Sequence, residues 1–129
     1  MTFYAQKIDR IKEVVYKNQG QLDAAIAVRS YIRNHYETDL NLDLLSETQL
    51  ISKYHLLRLF KQYFGLTPRQ YLIDTRIEKA KEHLKRGRSV TETCFAVGFN
   101  SLGSFSALFK TRTGKSPTQY RKEQFSRSK

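Results

Sequence analysis

The chain has 129 residues and sets 23 Lys and Arg against 12 Asp and Glu, a formal net charge of +11. At roughly 100–200 residues per domain this is one domain or two very small ones, with no room for a catalytic domain beside a regulatory one; with 40% hydrophobic residues the chain can form a packed core instead of staying disordered. One cysteine makes neither an internal disulfide nor a zinc site and fits a reducing cytosol, the longest apolar run (Ala24 to Val28) is far below the ~20 residues of a membrane span, and the amino terminus shows no signal-peptide pattern.

Two prolines, six glycines and an apolar period near 3.6 predict an all-α protein. Residues 3–17 place Tyr4, Ile8, Ile11 and Val15 on one stripe, expected to pack on the first helical unit. Residues 22–36 repeat the pattern with Leu22, Ile26, Arg29 and Ile32 near Val28 and Tyr36, and Asn18-Gln19-Gly20 is expected to separate the two helices. Asn41 can cap a short helix running through Leu42 and Leu45 to about Gln49. Ser52 then caps Lys53 to Phe64, whose inner face is Leu56, Leu59, Phe60 and Phe64 and whose stop is Gly65.

Thr67 caps a long helix with Pro68 at its first position. It runs to about Arg86, with Ile73, Ile77, Ala80 and Leu84 inward, expected to pack on both flanking units; Arg76, near that stripe, is expected to be a structural ion-pair partner. Ser89 caps a short helix with Val90, Cys94 and Val97 inward, where Cys94 is a small buried hydrophobe and not a reactive thiol. Ser101 opens the next helix, with Phe105, Leu108 and Phe109 inward and Gly114 at its end. Ser116-Pro117 starts the last helix, and Phe125 to Lys129 is expected to fray.

The chain repeats itself. Leu59-Phe60-Lys61, Gly65, Thr67-Pro68, Gln70 and Tyr71 recur 49 residues later as Leu108-Phe109-Lys110, Gly114, Ser116-Pro117, Gln119 and Tyr120, and Ser52 recurs as Ser101. Each copy reads as a short helix, a tight turn, a capped twelve-residue helix, a glycine and a new capped start, the layout of a helix-turn-helix. The charge follows the repeat. Up to residue 40 there are six basic against five acidic residues; beyond it there are seventeen against seven. Such an excess attracts polyanions, nucleic acid above all, or serves solubility, and charge by itself leaves both open.

The stretch from Leu42 through Arg121 resembles the DNA-binding domain of AraC/XylS-type bacterial transcription regulators. The matching residues are Ser52-Lys53-Tyr54-His55-Leu56, Val97-Gly98-Phe99-Asn100-Ser101 and Ser116-Pro117 with Tyr120-Arg121. The resemblance implies two helix-turn-helix subdomains joined by one long helix, with both second helices entering successive major grooves on one face of the DNA. Family members usually add an effector or dimerisation domain, so the chain looks like a small stand-alone member. The expected division is an amino-terminal helical extension over 1–20, a first subdomain over 21–66, a linker helix over 67–87, a second subdomain over 88–124 and a tail over 125–129.

Opposite its core stripe the first candidate recognition helix turns Tyr54, Leu57, Arg58 and Lys61 outward. Arg can grip guanine O6 and N7 together, an apolar side chain can meet a thymine methyl, and Lys can neutralise phosphate. Tyr54, Leu57 and Arg58 are the expected base readers here, with Ser52, Lys53 and Lys61 on phosphates. The second helix offers Leu102, Gly103, Ser104, Ser106 and Ala107 for base contact, nearly all small; the family commonly carries Arg at the place of Ala107 and a large side chain at that of Ser104. The expectation is therefore asymmetric: direct readout by the first half, docking of the second on phosphates through Ser101, Lys110, Arg112 and Lys115.

His35, His55 and His83 fall on three helices with no metal spacing, so neither catalysis nor a metal or other cofactor is expected. The expected partners are double-stranded DNA and RNA polymerase, with no membrane, in the cytoplasm at the bacterial nucleoid. The chain would act as a monomer, or as a weak dimer through the amino-terminal helix. The competing reading is a protein-interaction accessory regulator of the same fold with weak or degenerate DNA readout.

Overall fold

A computed structural model describes residues 3–127, apart from the side chains of residues 3, 4, 14, 16 and 17. The place of Tyr4 on its stripe, residues 1–2 of the amino-terminal extension and residues 128–129 of the tail lie outside the described residues. Seven helices and no strand occur among the described residues: α1 (Phe3–His35), α2 (Leu42–Thr48), α3 (Lys53–Phe64), α4 (Pro68–Lys85), α5 (Val90–Ala96), α6 (Leu102–Thr113) and α7 (Pro117–Arg127).

Caps set most of the boundaries. Asn41 Oδ1 accepts the Leu44 N–H, and the hydroxyls of Ser52, Thr67, Ser89, Ser101 and Ser116 each accept the N–H three residues on. At Thr67 the bond is reciprocated, because Gln70 Oε1 accepts the Thr67 N–H at 2.9 Å, forming a capping box beside Pro68. Left-handed Gly65 and Gly114 close α3 and α6.

Two cores form. Val28, Ile32, Leu45, Leu56, Phe60 and Leu72 make the first; Ile73, Ile77, Ala80, Leu84, Cys94, Val97, Phe99, Phe105 and Phe109 make the second. The linker stripe therefore does not serve both units equally. Leu72 faces the first core, whereas Ile73 and every apolar residue after it faces the second, because neighbouring positions on a helix point about 100° apart. Tyr36, just past the end of α1, packs against both cores.

Four expectations need correction. Asn18-Gln19-Gly20 does not break the chain: α1 is one helix of 33 residues. A helical glycine costs about 1 kcal/mol relative to Ala, too little to end a helix with good formers on both sides and no proline, and Gln19 donates to Asp23 one turn on at 3.0 Å. The buried face of α1 is Ala25, Val28 and Ile32, one step round from the expected stripe, so Ile26 is exposed and Arg29 covers the edge of Phe64, 4.5 Å from its ring centroid. Ile8, Ile11 and Val15 are not covered: Ile11 is 55% and Val15 58% exposed, and the α1 residues in the first core, Val28 and Ile32, come from its later turns. Finally α7 continues through Phe125 to Arg127. The Phe125 ring lies against Gly87 and under Arg121, whose guanidinium donates to the carbonyls of Gly87 and Arg88, both at 3.0 Å.

Candidate nucleic-acid interface

Each helix-turn-helix presents its second helix on a core of aromatic rings: Phe60 sits edge-on to Phe64 and Tyr71, Phe109 edge-on to Phe105 and Tyr120. With Leu56, Leu59 and Phe60 buried on one side of α3, the opposite side faces solvent. Tyr54 is 72% exposed there, and Arg58 and Lys61 are exposed on the following turns. Arg58 stands beside Gln21, His55 and Gln62 at a shallow hollow. Among the described residues no carboxylate pairs with Arg58 or Lys61, so both guanidinium and ammonium are open to an anion.

Leu57 differs from expectation. It is half-buried and lines a cleft of about 630 Å³ between the two units, together with Leu42, Leu72, Phe99 and Leu108. Lys53 lies 3.8 Å from Asp43 and 5.6 Å from the centroid of the Tyr54 ring. That exposed ion pair is worth little and opens readily. Ser52 and Ser101 use their oxygens to accept cap N–H groups, which leaves each hydroxyl hydrogen free to donate to a phosphate.

On α6 the outward residues are Leu102, Gly103, Ser104, Ala107 and Lys110, with Ser106 half-buried. A Cβ added at Gly103 would meet nothing within 4 Å, so a surface could approach the backbone closely here. Two of the cations on or beside α6 are already paired. Arg112 Nε lies 3.1 Å from Asp74 on α4, and Lys115 is paired with Glu123 on α7, whose carboxyl that ammonium holds below the usual range. Of the four expected phosphate groups of this half, Ser101 and Lys110 face outward without a carboxylate partner among the described residues.

Three features carry no sequence signal. Leu50, in the turn before α3, adopts φ +54° and is 94% exposed, where the second unit places Gly98 at φ +103°. Left-handed backbone costs an L-residue about 1–2 kcal/mol. The ion pair from Arg112 spans helices far apart in sequence. Arg76 is not an ion-pair residue: Nε donates to the Tyr36 carbonyl at 2.7 Å and Nη2 to the Thr38 carbonyl at 2.8 Å. Cys94 is fully buried and burial pushes its thiol up, away from the thiolate that reactivity needs. Among the described residues no group of His, Cys, Asp and Glu could hold a metal ion, and no helix is long and apolar enough to cross a membrane.

The sequence pattern of a family described as a helix-turn-helix domain matches residues 45–123. An uncharacterised transcriptional regulator from the cgkA 5′ region of Pseudoalteromonas carrageenovora is 38% identical over 92 residues, 71% of this chain and 55% of that protein. The probable transcriptional regulator LumQ of Photobacterium leiognathi is 29% identical over 121 residues, 93% of this chain and 44% of LumQ. The chain thus spans about half the length of these relatives. Among solved structures, the carboxy-terminal domain of AraT, a response regulator of Geobacillus stearothermophilus, superposes with a TM-score of 0.75 at 33% identity over 78% of this chain and 84% of that one. The DNA-binding domain of AdpA, solved with a target DNA, gives 0.76 at 26% identity over 80% and 94%.

Proposed function

Because the chain belongs to the AraC-type helix-turn-helix family, we propose that it is a sequence-specific, double-stranded DNA-binding transcription regulator. It lays α3 and α6 in successive major grooves of a directional site. The observation that carries this reading is the unpartnered cationic face of α3: Arg58 and Lys61 stand exposed on a rigid, capped helix, one and two turns on from Tyr54. Arg58 grips a guanine, Tyr54 contacts a neighbouring base or phosphate, and Ser52, Lys53 and Lys61 fix the helix on the backbone. Leu57, at the cleft edge, can still touch a thymine methyl.

The second half contributes less readout. Leu102, Gly103, Ser104, Ser106 and Ala107 allow close approach and hydroxyl or methyl contacts but no bidentate grip, while Ser101 and Lys110 take phosphates. Arg112 and Lys115 join them only by giving up Asp74 and Glu123, a modest cost for exposed pairs. Bound at a promoter in the bacterial nucleoid, the protein touches RNA polymerase and raises initiation. A monomer suffices for a directional site; pairing through α1 would make a weak dimer. The accessory-regulator reading draws on the small face of α6 and the uncovered stripe of α1.

Selection from a pool of random duplexes, followed by titration at several salt concentrations, tests the proposal. Six to eight phosphate contacts give a log–log salt slope of about −5 to −7. Arg58→Ala should cost about 1–3 kcal/mol and relax preference at one base pair, whereas Lys110→Ala should weaken all sequences alike and make the slope shallower by about one. Recovery of no preferred sequence would replace the proposal with the accessory reading; an unchanged preference in Arg58→Ala would remove Arg58 as the reader.

A further inference from the structure

No extensive helix-to-helix contact joins α2 or α3 directly to α5 or α6 among the described residues. Between them lies the 630 Å³ cleft, so the two units do not interlock across their facing surfaces. A helix such as α4 fixes separation along its axis, yet each unit could still roll about it. Contacts at the middle of α4 resist that roll. Arg76, at the middle of α4, donates to the carbonyls of Tyr36 and Thr38 in the loop before α2, and its guanidinium carbon lies 5.6 Å from the ring centroid of Phe99 in the turn before α6.

The same point is pressed from the other side. Gly98 holds φ +103°, and a Cβ there would come within 2.7 Å of the Tyr36 carbonyl oxygen and 2.9 Å of Arg76 Nε. The Tyr36 ring packs on both cores, with Lys79 Nζ 6.0 Å from its centroid. A single backbone carbonyl thus joins the loop after α1, the middle of the linker and the turn of the second unit. Such a bond is short, charge-assisted and half-buried, which makes it stiff.

We propose that this joint gauges the spacing of the DNA site: by locking the second turn onto the loop before α2, Arg76 sets the distance and rotation between α3 and α6. It thereby determines how many base pairs the protein accepts between its half-sites. This rests on the two-groove reading of the function. Arg76 is a positioning residue, bound to carbonyls between the units and not displayed with Arg58 or Lys110. One inserted base pair shifts the second half-site by about 3.4 Å and about 34°. No hydrogen bond from α6 survives that shift unless the units move relative to each other.

The test uses the full chain and a selected site, with duplexes carrying zero, one or two base pairs inserted or removed between the half-sites. The wild type should lose at least about tenfold in affinity at each one-base-pair change, the equivalent of one lost base contact. Arg76→Gln should bind the selected spacing about tenfold more weakly, distinguish the spacings by less than about threefold, and bind each isolated half-site as the wild type does. Arg76→Lys, which keeps the charge and one donor nitrogen, should fall between. Phe99→Leu keeps both hydrogen bonds and an apolar core residue, and should relax spacing by a smaller factor; it carries the test if the Arg76 variants do not fold. A wild type indifferent to spacing would overturn the two-groove reading itself. A spacing-sensitive wild type with equally sensitive, folded variants would overturn the joint alone.

Discussion

The two outward helices have the same length, a serine cap at one end, a left-handed glycine at the other and a phenylalanine anchored at the same step, Phe60 in α3 and Phe109 in α6. Their inner faces are interchangeable in kind and their outer faces are not. Tyr54, Arg58 and Lys61 project from the first; Gly103, Ser104, Ala107 and Lys110 line the second, with Arg112 and Lys115 paired to Asp74 and Glu123. The core of such a unit is fixed by close packing, which tolerates little change of volume. Nothing inside the protein constrains the outer face, so that face is where one half can keep a cationic grip and the other become a smooth docking surface.

The shared cores carry the largest expected effects. Phe60→Ala and Phe109→Ala should each cost roughly 3–5 kcal/mol, because both rings are fully buried. Since α4 lines both cores, denaturant unfolding followed by circular dichroism should remain a single transition in either variant. Two separated transitions would mean that the halves are independent domains. The turns differ next. Gly98→Ala should destabilise by roughly 1–3 kcal/mol through its backbone angle, with the overlap at the Tyr36 carbonyl in addition. Leu50→Gly should instead stabilise by about 0.5 kcal/mol, the left-handed penalty less the added chain entropy, again read from the denaturant midpoint.

The smallest effect is pH dependence, and it belongs to the second half. Burial first, and then Arg88 and Arg86, hold the His83 imidazole below its ordinary value, with Arg88 Nη1 3.0 Å from Nδ1. The unfolded chain takes up this proton near pH 6.5 while the folded one does not, so stability is full above that pH and declines as pH falls through and below it. Denaturant midpoints at pH 7.5 and 5.5 should differ in that direction, and His83→Gln should narrow the difference.

What could be read from the residues was the chemistry that acts over a few positions. Ser52, Thr67, Ser89 and Ser101 announce helix starts because a cap is satisfied three residues away, and each is observed to do so. The spacing of Leu56, Leu59 and Phe60 likewise placed the outward face of α3. What could not be read was competition or distance. Gly20 yields to two helical flanks, Leu50 takes a backbone angle its type disfavours, and Arg76 finds carbonyls 38 and 40 residues away, a partner that any backbone could provide. Arg112 and Lys115 looked unpaired because the acids that hold them lie on other helices.

The unbroken α1 also sets the molecule's hydrodynamics. Thirty-three helical residues extend about 50 Å, whereas a compact chain of this length has a radius of gyration of about 14 Å and so a diameter below 40 Å. A monomer of this shape is a body with a rod. It should tumble anisotropically and sediment more slowly than a sphere of its mass, with the rod's long axis setting its largest dimension.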